Sequence, residues 1–92
     1  MNSPRTRAEL TNYAETSTYA DVMAFLSALK RTDVPLTIST MARSTEGRDI
    51  PLVLLGKPGP DKLMVYIQAN IHAGEVEGKE AALMLLRDIP KR

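Results

Sequence analysis

Two nearly continuous apolar runs, "DIPLVLLG" from Asp49 to Gly56 and "KLMVYIQAN" from Lys62 to Asn70, constrain the fold of this chain more than any other feature. Each is bounded by turn formers and reads as a β-strand. An unbroken apolar strand needs cover on both faces, which in a mixed or parallel sheet means helices above and below. The loop between them, "GKPGPD", concentrates Gly and Pro where no regular element persists. It is not a phosphate-binding loop, because the glycine spacing is wrong and no Lys-Ser/Thr pair opens a helix. Upstream, "LTISTM" (Leu36 to Met41) alternates and is rich in β-branched residues, which gives a further strand, and Gly47 in "ARSTEGRD" supplies the turn that follows it. Pro51 lacks the N–H of a central strand and favours an edge or the strand's first turn.

The helices that cover these strands come from the flanks. In "TSTYADVMAFLSALKR", Tyr19, Val22, Met23, Leu26 and Leu29 recur at helical spacing, with Thr18 as N-cap and Asp21 near the first-turn amides. That helix ends before Pro35, and its apolar stripe is expected to pack on the sheet. The second helix follows Asn70: Ala81, Ala82, Leu85 and Leu86 line one face, Glu75, Glu77 and Glu80 occupy the first turns, Arg87 lies near the end and Pro90 stops it. That charge order suits the helix macrodipole. Residues 1 to 15 are polar and aperiodic and read as an extended arm, leaving 16 to 92 as one α/β unit with the order helix, three strands, helix.

Ninety-two residues suffice for one small domain but not for a large enclosed cleft. Apolar residues at 43% and charged residues at 25% are those of a chain that folds. A net charge of +1 without a run of one sign gives no reason to expect nucleic acid or a membrane as partner. With no cysteine there is no disulfide, thiolate metal site or cysteine nucleophile. No segment has the apolar core of a signal peptide or membrane span, so the chain is expected to be soluble. Cytoplasmic and secreted locations both stay open, since a removed leader leaves no trace.

Chemistry concentrates in "NIHAGEVEGKE", where the single histidine, His72, precedes Glu75 by three positions at a strand-to-helix junction. Open α/β sheets build their sites beyond the carboxyl ends of strands. Neutral imidazole and carboxylate are zinc donors, and a catalytic zinc keeps three protein ligands with a fourth position for water. Spacing alone leaves two readings: two ligands of a metal site, or a polar turn in which Glu75 is a helix N-terminal charge and His72 satisfies a backbone carbonyl. The apolar strand before the pair and Gly74, which lets backbone pass close to a ligand, favour the first. Asn70 is a candidate to orient the loop. Glu77 and Glu80 are candidates for a hydrogen bond to His72, with a solvated helix face as the alternative. His-Glu-x-x-His, zinc-deaminase and Ser-His-Asp templates all fail for want of residues.

"STEGRDIPLVLLG" followed by "KLMVYIQANIHAGEVEGKEAALMLLRDI" resembles the N-terminal part of zinc metallocarboxypeptidases of the carboxypeptidase A-like family. There a "GR-x-I/L" strand precedes a second strand that ends in a His-x-x-Glu zinc motif and is followed by a helix. "TNYAETSTYADVMAFLSAL" resembles the first helix region of bacterial members, so the likeness runs from about Thr11 onward. It implies the N-terminal portion of a mixed β-sheet flanked by helices, Zn2+ as cofactor, His72 and Glu75 as the first two metal ligands, and a peptide or peptide-like substrate cleaved at its C-terminal residue.

The family's third zinc ligand, a histidine, its substrate-binding arginines and tyrosine and its general-base glutamate all come from downstream, so no catalytic residue is assigned here. The expected entity is a fragment of a zinc-dependent carboxypeptidase, inactive alone; the alternative is a non-catalytic α/β interaction module whose His-x-x-Glu pair binds no metal. In either case unpaired strand edges make self-association an expected property. Digestive-type members carry an arginine where this chain has Gly74, which departs from a simple carboxypeptidase A or B specificity and is closer to divergent bacterial members, whose substrates include cell-wall peptides or modified amino acids.

Overall fold

The fold is given by a computed structural model that describes residues 3–91. Its elements in order are α1 (Arg7–Leu10), α2 (Tyr19–Lys30), β1 (Leu36–Arg43), β2 (Asp49–Leu55) and α3 (Val76–Asp88), closed by a 3₁₀ turn at Ile89–Lys91. The α/β class follows from the α2, β1–β2 and α3 order.

α2 begins where its sequence says. The Thr18 hydroxyl accepts from the Asp21 amide at 3.1 Å while the Asp21 carboxylate accepts from the Thr18 amide at 2.9 Å, so two otherwise unpaired donors are satisfied reciprocally. These contacts, the Thr18 amide first, hold the Asp21 carboxyl below its usual range. The helix buries Phe25, Leu26 and Leu29. Phe25 broadens the expected stripe, whereas Tyr19 stays outside and donates its hydroxyl to the Asp49 carbonyl at 2.8 Å.

β1 and β2 form an antiparallel hairpin that pairs Leu36 with Leu55 and Ile38 with Val53. Gly47 at φ +84° makes the turn, with its amide bonded to the Ser44 carbonyl. Pro51 stands opposite Thr40 beside a register shift between Thr40 and Ala42, a place where a missing N–H is tolerated. Leu36 joins Phe25, Leu26, Leu29 and Leu83 in the core, with Ile38, Val53 and Leu55 packed against it. Ile50 and Leu52, at the intervening register positions, stay exposed, so the sheet is covered on one face and not on the expected two.

Three further expectations are corrected. The segment Lys62–Asn70 is not a strand: the sheet has two strands, and the side chains from Leu63 to Ile67 are exposed, Leu63 at 96%. An apolar run becomes a strand when a neighbour takes its amides and carbonyls, and no described segment lies alongside to do so. α3 buries Glu80, Leu83 and Arg87, while Ala81 and Leu85 of the expected face are exposed. The expected extended arm at 1 to 15 is folded from Thr6 onward: Thr6 caps α1 in a second reciprocal box with Glu9, and Thr6 and Ala8 are buried. Residues 1 and 2 of that arm lie outside the described residues.

This arm explains the rotation of α3. Glu80 Oε1 accepts from the amides of Ala8 (3.0 Å) and Ser17 (3.1 Å) and from the Ser17 hydroxyl (3.0 Å). Arg87 donates to Glu9 at 2.6 Å and to the Pro4 carbonyl at 3.2 Å, and it also pairs with Asp88 at 2.7 Å. Asp88 and then Glu9 raise the Arg87 pKa above its ordinary value. A polar face therefore turns inward because the arm supplies its partners.

Leu29, wholly inaccessible, sits at the centre of the core. Leu29→Ala is expected to lose about 2–5 kcal/mol, read from urea unfolding of the variant against the parent. The Arg87 hydrogen bond holds the Glu9 carboxyl below its ordinary value of 4.5. A carboxyl lowered by folding stabilises above its unfolded pKa, and that contribution disappears as pH falls through the folded value. The urea midpoint is accordingly expected to fall on acidification below about 4.5, and to fall less in Glu9→Gln.

Candidate metal-binding turn

The chain leaves the exposed segment at Asn70, whose φ of +62° is a left-handed conformation that Asn tolerates better than most residues, and turns into α3. The Glu75 amide donates to the His72 carbonyl at 3.0 Å, which closes the turn, and Glu75 becomes the N-cap of α3. Its carboxylate makes no helix-capping bond. It folds back instead: Oε1 accepts from the His72 amide at 3.1 Å and Oε2 lies 2.9 Å from the His72 Nδ1. The His72 ring first, then the His72 amide, lowers the Glu75 pKa. Glu75 is thus ionised at neutral pH, accepts a hydrogen from Nδ1, and leaves Nε2 uncommitted on a side chain that is 78% exposed.

The two side chains named from the sequence are therefore brought together on one turn. The others are not. Glu77 is exposed, and Glu80 is turned away into its bonds with Ala8 and Ser17, so neither supports the imidazole. A Cβ built on Gly74 meets nothing within 4 Å, and the residue has no positive φ, so its backbone is not crowded. The same openness leaves room for a longer side chain at this position.

Tetrahedral zinc with ligands at about 2.0–2.1 Å separates neighbouring donors by about 3.3 Å. Imidazole nitrogen and carboxylate oxygen at 2.9 Å match that chemistry after a small opening and loss of the shared hydrogen. Among the described residues, no group of three or more His, Cys, Asp or Glu is placed to hold a metal. The donor types fit a zinc site, and the number present is two.

Residues 22–92, more than half of the chain, match the family model described as zinc carboxypeptidase. The chain belongs to the zinc carboxypeptidase family. It is also 39% identical over 59 residues to a carboxypeptidase B from Astacus astacus, an alignment covering 62% of this chain and 19% of that relative. The chain spans less than a fifth of that carboxypeptidase's length. The family match begins within α2, at Val22, and takes in the rest of that helix, the hairpin, the turn and α3. No helix among the described residues is long and apolar enough to cross a membrane.

The arm residues Ser17 and Glu9, which fix α3 behind the turn, were not singled out by sequence reasoning. "TRAE", Thr6 to Glu9, has the capping-box spacing and was the available signal.

Substitution distinguishes the two glycine turns. Gly74→Ala is expected to be neutral or stabilising by up to about 1 kcal/mol, since the side chain enters open space and restricts the unfolded chain. Gly47→Ala, at positive φ, is expected to cost about 1 kcal/mol or more. Urea melts of both variants check the contrast.

Proposed function

We propose that this chain is the N-terminal portion of a zinc-dependent metallocarboxypeptidase in which His72 and Glu75 are two of the metal ligands. The observation that carries the reading is the pairing of the His72 Nδ1 and Glu75 Oε2 at 2.9 Å, on one turn, within the residues that match the family. A zinc ion, when bound, supplies a Lewis acid for the scissile carbonyl and a water acidified towards neutrality. His72 and Glu75 hold it; the Glu75 carboxylate also accepts from the His72 amide and keeps the turn closed. The third ligand, the general base and the groups that bind the substrate carboxylate come from a longer chain.

The substrate class of the whole enzyme is a peptide or peptide-like molecule with a free C-terminus. Gly74, next to Glu75, offers no side chain to that substrate, whereas digestive-type members place an arginine there. A specificity other than that of carboxypeptidase A or B follows, with cell-wall peptides or modified amino acids as the substrates to try.

A second reading rests on the same bonds. Because Glu75 already accepts from the His72 amide, the pair also serves as a closed polar turn of a non-catalytic α/β module. That reading expects no effect of zinc on the melting temperature.

Two donors leave an ion mostly to water, so the 92-residue chain is expected to bind zinc weakly and to release no amino acid from dipeptides with free C-termini. Calorimetry and a hydrolysis assay check both parts, and robust turnover by the purified chain would overturn the reading. A longer chain that adds a histidine and a late glutamate is expected to show zinc-dependent turnover that His72→Ala abolishes.

A further inference from the structure

The turn that carries His72 and Glu75 is held from one side. Upstream it is entered from an exposed segment with no strand neighbour, and Ile71 is itself exposed. Downstream it continues into α3, so the position of α3 decides where the pair stands. Two sets of contacts place that helix. One is apolar: Leu83 lies in the core with Phe25, Leu26 and Leu29, and Leu86 packs beside it. The other is the polar clasp between α3 and residues 4–17.

The clasp has a defined construction. Glu80 and Arg87 are seven positions apart, two helical turns, and so project from one face of α3. Glu80 is buried, and its Oε1 gathers both ends of the arm: the Ala8 amide at the start of α1, and the amide and hydroxyl of Ser17 just before α2. The Ser17 hydroxyl in turn accepts from the Arg7 amide at 3.4 Å. Arg87 takes the outer end through the poorly exposed Glu9 side chain and through the Pro4 carbonyl. Between these points the arm reverses through Asn12 and Tyr13, two consecutive non-glycine residues at positive φ. Such a reversal persists when its surroundings determine it. The apolar contact fixes the helix near its middle, and a single contact region leaves it free to pivot; the clasp adds points before and after Leu83 on the adjacent face. Residues 4–17 lie before the region, residues 22–92, that matches the family model, and Glu80 and Arg87 lie within it.

We infer that residues 4–17 form a positioning strap for the His72–Glu75 turn, with Glu80 and Arg87 as its positioning residues. The inference rests on that turn being the site. The strap touches neither donor; it sets the direction of α3 and through it the place of the N-cap, Glu75.

The cysteine-free chain allows a direct distance test. Nitroxides are attached through Gly74→Cys in the turn, where a side chain meets open space, and Arg31→Cys at the exposed end of α2. Pulsed electron resonance then reads the distance distribution between them, while hydrogen exchange of the Ala8 and Ser17 amides reports whether the strap is attached. In the parent the distribution is expected to be narrow. In Glu80→Ala and in Arg87→Met the amides are expected to exchange at least about tenfold faster and the distribution to broaden, with unfolding still cooperative. Glu80→Gln keeps an acceptor for the Ala8 and Ser17 amides and is expected to restore a narrow distribution. Where Glu80→Ala does not fold, Ser17→Ala and Arg87→Met decide, since each cuts one part of the strap. Faster exchange at Ala8 and Ser17 with an unchanged narrow distribution overturns the positioning role, as does a broad distribution in the parent. Zinc titration of the same proteins is read separately: affinity indifferent to His72→Ala overturns the metal reading and leaves the positioning result standing.

Discussion

The apolar cluster that Leu83 shares with Phe25, Leu26 and Leu29 joins what would otherwise be separate pieces. A two-stranded hairpin by itself is marginal in water and needs helices packed on it, and α3 has no strand of its own to lie on. Leu83 brings α3 into the single apolar cluster, and Leu36 brings in the hairpin. Everything chemical in the chain hangs from that junction: the turn with His72 and Glu75 lies about two turns of helix upstream of Leu83, with an unpaired segment on its other side. A leucine far from either donor thus has more to say about the site than the residues that flank them.

Local signals were legible in the sequence because their physics is local. Thr18 and Asp21 cap α2 through bonds three residues apart, Gly47 turns the hairpin by its own φ, and the His72–Glu75 pair closes within one turn. The resemblance to zinc carboxypeptidases also rested on contiguous stretches, and the family match takes in those from Ser44 and Lys62 whole and the one from Thr11 only from Val22 onward. What depended on distant partners was not legible. The run from Lys62 to Asn70 has the composition of a buried strand, but strand formation is a property of two segments, and its apolar residues stand exposed. Glu80 looked like surface because carboxylates are rarely buried unless paired, and its partners, two backbone amides and the Ser17 hydroxyl, lie 63 to 72 positions away in the sequence. The capping box of Thr6 and Glu9 was visible in "TRAE", yet short polar segments do not announce that they fold against the other end of the chain.

The Glu75 carboxylate, proposed above as a metal ligand, already has a structural part in the turn. The side-chain bond from His72 and the amide bond beneath it both favour the ionised form of Glu75, and an ionised carboxylate is the form that ligates a metal. The same contacts limit the freedom of the imidazole, so the two donors need little rearrangement to face a common point. Gly74 between them leaves the outer side of the turn open.

The clasp between Glu80 and the Ala8 amide spans 72 positions of the sequence. During synthesis the arm is made before α3, and it has no partner until Glu80 and Arg87 have been added. Loop closure over such a span is entropically expensive before other contacts shorten it. The hairpin and the two longer helices, built from nearer neighbours, have to assemble around Leu83 beforehand. Among the described elements, the arm is then expected to lock after the hairpin and the two longer helices have met.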